Sequence, residues 1–143
     1  MDFSFKDIKD KEYLKKLVKE ETNRIFNSES ARQDRNIDQV KRHVLQGKIA
    51  ELYLAENVEG YKICTWDIYH DIYDEINDEY IEVKAYTDAF DILEPRIQYQ
   101  VKRITEGRNW NKSKLMYVFS FNEFNYTLLG KINLLDGFSN NRR

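Results

Sequence analysis

The feature that most constrains this chain is a change of hydrophobic period near residue 60. Before it, apolar residues recur at near-helical intervals; after it, they alternate with polar ones, so the chain must set helices against a sheet. Residues 6–27 carry Ile8, Leu14, Leu17, Val18, Ile25 and Phe26 among lysines and glutamates, which predicts one helix ended by Asn27-Ser28-Glu29-Ser30. A second helix is expected over Ile37–Asn57, stopping before Gly60. Extended segments follow at 61–73 and 80–86, then a helix at 96–106 opened by Pro95, and strands at 115–121 and 126–132 joined around 122–125. The order predicts a mixed α/β fold with one sheet flanked by helices.

A length of 143 residues suits one domain, here an N-terminal helix, a core over about 36–132 and a polar tail expected to fray at 139–143. Aromatic residues make up 14% of the chain, too many for a disordered polyelectrolyte even at 34% charged. No run of about 18 apolar residues occurs, and Met1-Asp2-Phe3-Ser4-Phe5-Lys6 lacks a signal-peptide pattern, so a soluble cytoplasmic protein with no membrane partner is expected. Cys64 is the single cysteine and His43 and His70 are the only histidines, which leaves no zinc framework and argues against Cys-His or Ser-His-Asp hydrolases. Chemistry then falls to carboxylates, lysines and a hard metal ion.

The formal net charge of -2 gives no global pull towards nucleic acid. It hides a segregation. Residues 67 to 94 hold ten acids against Lys84, and residues 96 to 114 hold Arg96, Lys102, Arg103, Arg108, Lys112 and Lys114 against Glu106.

Two placements conflict with simple packing. On a helical wheel, Val40, Val44, Gly47, Leu54 and Ala55 share one side of the second helix, with Glu51 in their middle. A glutamate there must snorkel to water, pair with Lys48 or bind a cation, because burying it bare is costly. In the extended segments, a turn near residues 76–78 sets Ile72 against Ile81 and Ile68 against Ala85. The other face then opposes Asp71 to Glu82, with Lys84 and Asp67 one step away. Opposed acids repel unless a cation stands between them, or unless the face is simply solvated.

Glu82-Val83-Lys84 carries little alone, since Asp7-Ile8-Lys9 matches the same acid-x-Lys pattern. Its context differs: an alternating strand after a hairpin, following a helix with an inward glutamate. Gly47-Lys48-Ile49-Ala50-Glu51, an Asp-Ile step at Asp67-Ile68 or Asp71-Ile72, and Tyr80-Ile81-Glu82-Val83-Lys84 together resemble the PD-(D/E)xK nuclease superfamily, the restriction-endonuclease-like fold. The resemblance covers roughly residues 37–121 and implies an αβββαβ-type core carrying an extra N-terminal helix. The proline that often precedes the motif aspartate is absent, and 61–73 must supply one long bent strand or two short ones.

The resemblance implies a metal-dependent DNA endonuclease. Asp71 and Glu82, with the Val83 carbonyl, would hold Mg²⁺ or Mn²⁺, with Asp67 the alternative to Asp71; Glu51 would complete the site and Lys84 would position water and stabilise the transition state. Lys102, Arg103, Arg108, Lys112 and Lys114 are candidate phosphate contacts, or ordinary solvated charges, and Gln100 resembles the family's occasional post-motif glutamine. Small nucleases of that fold often pair to cut two strands, so a homodimer is expected by analogy. Two rivals are a non-catalytic nucleic-acid- or protein-binding module of the same fold, and an interaction domain whose acidic hairpin mimics DNA.

Overall fold

The computed structural model describes residues 1–87 and 91–135. Asp88 and the tail expected at 139–143 lie outside the described residues. The elements run β1 (Asp2–Ser4), α1 (Lys11–Phe26), α2 (Glu29–Arg32), α3 (Ile37–Asn57), β2 (Tyr61–Ile63), β3 (Ile72–Asp74), β4 (Glu79–Tyr86), α4 (Pro95–Glu106), β5 (Ser113–Asn122) and β6 (Asn125–Asn133). They form a mixed α/β structure with one six-stranded sheet in the order β1-β6-β5-β4-β3-β2. β4 and β5 are parallel, joined through α4, and the other neighbours are antiparallel.

Alternation along the central strands divides the core between two faces. Tyr117, Phe119 and Phe121 of β5 pack with Ile81 and Val83 of β4 under α1 and α3, around Leu14, Leu17, Val40, Ile49 and Leu54. Met116 and Val118 turn the other way, with Ile132 and Leu134, onto Ile97, Val101 and Ile104 of α4. No helix of the described residues is long and apolar enough to cross a membrane.

α3 occupies the range its sequence predicts because its start is chemically marked. Asn36 and Gln39 form a reciprocal capping box, each side chain accepting the other's backbone N–H at 2.9 and 2.8 Å. The first helix departs from the expected 6–27. Ser4 and Asp7 close a single 3₁₀ turn, and Asp10 then caps a helix that starts at Lys11, while Asp2–Ser4 pairs with β6. Residues 61–73 are neither one strand nor uniformly extended: β2 and β3 are three residues each and pair with one another across the loop 64–71. Ile72 pairs with Ile81 as the alternation predicts. The expected partnership of Ile68 with Ala85 does not form, because Ile68 lies in the loop and is exposed.

The Tyr126 hydroxyl crosses the core from β6 and donates to the Gln46 carbonyl of α3 at 2.6 Å, and burial pushes its pKa up. It ties the helix that carries Glu51 to the sheet. Tyr126→Phe should lower stability by about 0.5–1.5 kcal/mol, read as a fall in the urea midpoint, and Phe119→Ala by about 3–5 kcal/mol. An unchanged midpoint for Tyr126→Phe would show that this bond does not hold α3.

Candidate active site

Four of the residues singled out from the sequence gather where the start of β3 lies beside the middle of β4. Asp71 immediately precedes β3, and its Oδ2 accepts the Val83 N–H at 2.8 Å, so the carboxylate is fixed by the backbone of the neighbouring strand. Glu82 and Lys84 lie on the β4 face shared with Tyr86, whose ring packs towards α4, while Glu51 arrives from α3 on the opposite face. Asp71 is the group common to both sides: its charge acts on Glu51, Glu82, Lys48 and Lys84.

Glu51 and Glu82 are both buried. Burial, and after it the charge of Asp71, push both carboxyls well above the usual carboxylate range. Lysines partly offset this: Lys48 Nζ stands 3.0 Å from Glu51 Oε1, and Lys84 Nζ stands 3.5 Å from Glu82 Oε1. Burial alone would lower the lysine pKa values, but the facing carboxylates outweigh it and raise them. Lys48 also reaches Glu21 of α1 at 3.8 Å. The other Glu82 oxygen, Oε2, accepts Asn111 Nδ2 at 3.2 Å.

Glu51, Asp71, Val83 and Lys84 open onto a cleft of about 580 Å³. Arg24, Arg35 and Arg96 stand on its walls, so the basic rim comes from α1, the α2–α3 connection and the start of α4.

The remaining predicted residues fall elsewhere. Asp67 serves its own loop: it accepts the Tyr69 and His70 N–H groups at 2.8 and 3.0 Å and His70 Nδ1 at 3.0 Å. Burial would raise its pKa, but these bonds outweigh burial and hold it below its usual value. Lys102 and Arg103 are exposed on α4, Lys102 3.9 Å from Glu106 and Arg103 over the Tyr99 ring. Gln100 lines a smaller pocket with Trp110 and Asn111. Lys114 is exposed at the start of β5.

Arg108 departs most from a phosphate contact. Its guanidinium donates to the carbonyls of Asn111 at 3.3 Å, Leu134 at 3.0 Å and Ser113, and burial lowers its pKa. It braces the loop 107–112, and Lys112 Nζ donates to the Arg108 carbonyl within the same brace. Asn111 owes its position to this brace, a role with no signal in the sequence because every partner is a carbonyl or lies far along the chain.

The chain matches no known family model, no curated protein and no solved structure with which it was compared.

Among the described residues no three His, Cys, Asp or Glu side chains already stand in ligating geometry for a metal ion. The donor chemistry nonetheless fits one. Three carboxylates face two lysines, and the proton affinity of Glu51 and Glu82 is raised first by burial and then by the charge of Asp71. The donors are all oxygen, which suits Mg²⁺ or Mn²⁺ rather than zinc.

Both glutamates hold a proton more tightly folded than unfolded, so their contribution to stability is full at low pH and is lost as pH rises towards about 8. The lowered pKa values of His43 and Asp67 act below neutrality, outside that window. Chelator-treated protein should therefore show a lower thermal midpoint at about pH 9 than at about pH 7, and Glu82→Gln should narrow the difference. A midpoint that rises over this interval in the wild type would refute the raised proton affinity of the two glutamates.

Proposed function

We propose that this protein is a metal-dependent endonuclease that hydrolyses phosphodiester bonds in DNA. The observation that carries the reading is the gathering of Glu51, Glu82 and Lys84 around Asp71, where Glu51, Asp71 and Lys84 line a cleft walled by Arg24, Arg35 and Arg96 and Glu82 lies buried beside Lys84. A fold stabilised by ordinary packing gains nothing from three carboxylates brought together where burial and their neighbour's charge both oppose ionisation of two of them. The element sequence α3, β2, β3, β4, α4, β5, helix then three strands then helix then strand, supports an αβββαβ-type core preceded by α1.

On this reading Asp71, Glu82 and the Val83 carbonyl would hold the divalent ion, with Glu51 completing the set. A bound Mg²⁺ supplies activation of a water and stabilisation of charge growing on the phosphate. Lys84, kept at the site by Glu82, positions the water and faces the negative charge of the pentavalent transition state. Asn111 holds one Glu82 oxygen, fixing the carboxylate's orientation. The arginines on the walls take phosphates of the strand that crosses the cleft, which an acidic centre could not attract unaided. A homodimer belongs to the same reading, and light scattering tests it.

One observation favours a different reading. Each buried glutamate already has a lysine partner, as a non-catalytic nucleic-acid- or protein-binding module of this fold would need.

Incubating the protein with supercoiled plasmid and with linear single- and double-stranded DNA in Mg²⁺ or Mn²⁺ separates the two. Cleavage is expected, with Lys84→Ala slower by about a hundredfold or more and Glu82→Ala close to inactive. Neutralising Arg24 and Arg96 should weaken DNA binding and flatten its salt dependence, whereas Lys102→Ala and Arg103→Ala should leave both nearly unchanged. Equal cleavage by wild type and both site variants would remove the site assignment, and no cleavage of any DNA would leave the binding module.

A further inference from the structure

The loop between β2 and β3 leaves three large apolar side chains exposed within four residues: Trp66 at 52%, Ile68 at 65% and Tyr69 at 47%. Such a cluster on a slack loop would carry little meaning, but this loop is tied at several points. The Cys64 N–H donates to the Asp71 carbonyl at 3.0 Å and closes its base. Asp67 accepts from the backbone of Tyr69 and His70 as described above. His70 Nε2 accepts the Lys112 N–H at 2.8 Å, which places the ring proton on Nδ1, facing Asp67. The His70 ring stacks on Tyr80 at 3.8 Å, and Trp66 Nε1 donates to the Tyr80 hydroxyl at 3.3 Å. A loop braced this firmly that still presents apolar side chains to water marks a contact surface.

Its position says what the surface meets. Ile68 lines the 580 Å³ cleft beside Asp71 and Lys84. It also lines a second pocket of about 260 Å³, together with Trp66, Arg24 and Lys48. The apolar ridge therefore stands between two basins that share Glu21, Arg24 and Lys48, and since Lys48 is largely buried against Glu51, Arg24 is the cation they share that water reaches freely. Apolar surface flanked by cations is the arrangement that accommodates an open nucleotide strand, whose phosphates seek charge and whose unstacked bases seek apolar or aromatic partners. A continuous duplex keeps its base faces stacked inside and offers the ridge nothing comparable.

We infer that the loop 64–71 is a docking ridge for unpaired nucleotides, with Trp66, Ile68 and Tyr69 meeting base faces while Arg24 and the other arginines of the cleft wall hold the adjoining phosphates. The inference rests on the nuclease reading and narrows its substrate to DNA that is single-stranded, gapped or branched beside the bond to be cut.

Fluorescence anisotropy tests it with labelled oligonucleotides, Ca²⁺ replacing Mg²⁺ and oligonucleotide length checked on a gel afterwards. The wild type should bind a single strand or a gapped duplex about tenfold or more tightly than a continuous duplex. Ile68→Ser combined with Tyr69→Ser should abolish that preference, leaving duplex affinity and the thermal midpoint unchanged. Tyr99→Ser, which removes an equally exposed aromatic from α4, should change nothing. Equal affinity for open and continuous DNA, or a loop variant that binds like wild type, would overturn the inference. So would a loop variant that shifts the oligomeric mass in light scattering while nucleotide binding stays the same, since the ridge would then be a protein contact. If the ridge behaves as expected in a protein that cleaves no DNA with Mg²⁺ or Mn²⁺, the nuclease reading fails and the ridge stands; cleavage with an indifferent ridge gives the reverse.

Discussion

The Asp71 carboxylate is the constraint around which the rest of the structure is arranged. It is held by the Val83 N–H and lies close enough to Glu51 and Glu82 for its charge to raise the proton affinity of both. Leaving a buried charge unpaired costs several kcal/mol, a large share of the 5–15 kcal/mol by which a domain is typically stable. The structure meets that cost locally with Lys48 on one face of β4 and Lys84 on the other. The surrounding ties then keep the backbone where these pairs need it. Tyr126 holds α3, the Asp67–His70 pair holds the approach to Asp71, and Arg108 holds the loop that brings Asn111 to Glu82.

What was legible in the sequence was whatever local chemistry decides. The span of α3 follows from the Asn36 cap and from an apolar stripe with Glu51 inside it; the register of Ile72 with Ile81 follows from alternation around a turn that Asp74 organises through the Ile76 and Asn77 N–H groups. The different placements of Asp67 and Asp71 were only half legible. Alternation favoured Asp71, but it assumed a strand running through Ile68. Trp66, Ile68 and Tyr69 have strand-like composition, and only the hydrogen bonds to Asp67, invisible as a pattern, reveal a loop. β1 was hidden for a related reason: three residues carry too little periodicity, and its partner, β6, is more than a hundred residues away.

Charge is the least faithful guide, because neighbours in sequence need not be neighbours in space. The basic stretch after Pro95 disperses on folding. Arg108 turns inward to carbonyls and Lys102 pairs along its own helix, and of that stretch only Arg96 lines the main cleft. The acidic stretch disperses too: Asp74 organises the hairpin turn and Asp67 its loop, which leaves Asp71 and Glu82 at the centre. A segregated charge pattern therefore does not say which cations a fold brings to a cleft.

The cations that do reach the cleft give α1 a role beyond covering the sheet. Glu21 stands 2.5 Å from Arg24 on its own helix and 3.8 Å from Lys48 on α3, so one carboxylate orders a wall arginine and the lysine that neutralises Glu51. Lys48 thus lies between a half-exposed carboxylate and a buried one, and its hold on Glu51 depends on how strongly Glu21 competes for it. Arg35 adds a second fixed cation, its guanidinium tied to the Ala31 and Arg32 carbonyls and to His43 Nδ1. Both walls thereby depend on the helical segment before α3. A chain reduced to the sheet with α3 and α4 would keep Glu51, Asp71, Glu82 and Lys84, but it would lose Arg24 and the Glu21 carboxylate, whose charge acts on both Lys48 and Glu51, so the N-terminal helices are part of the site's electrostatics.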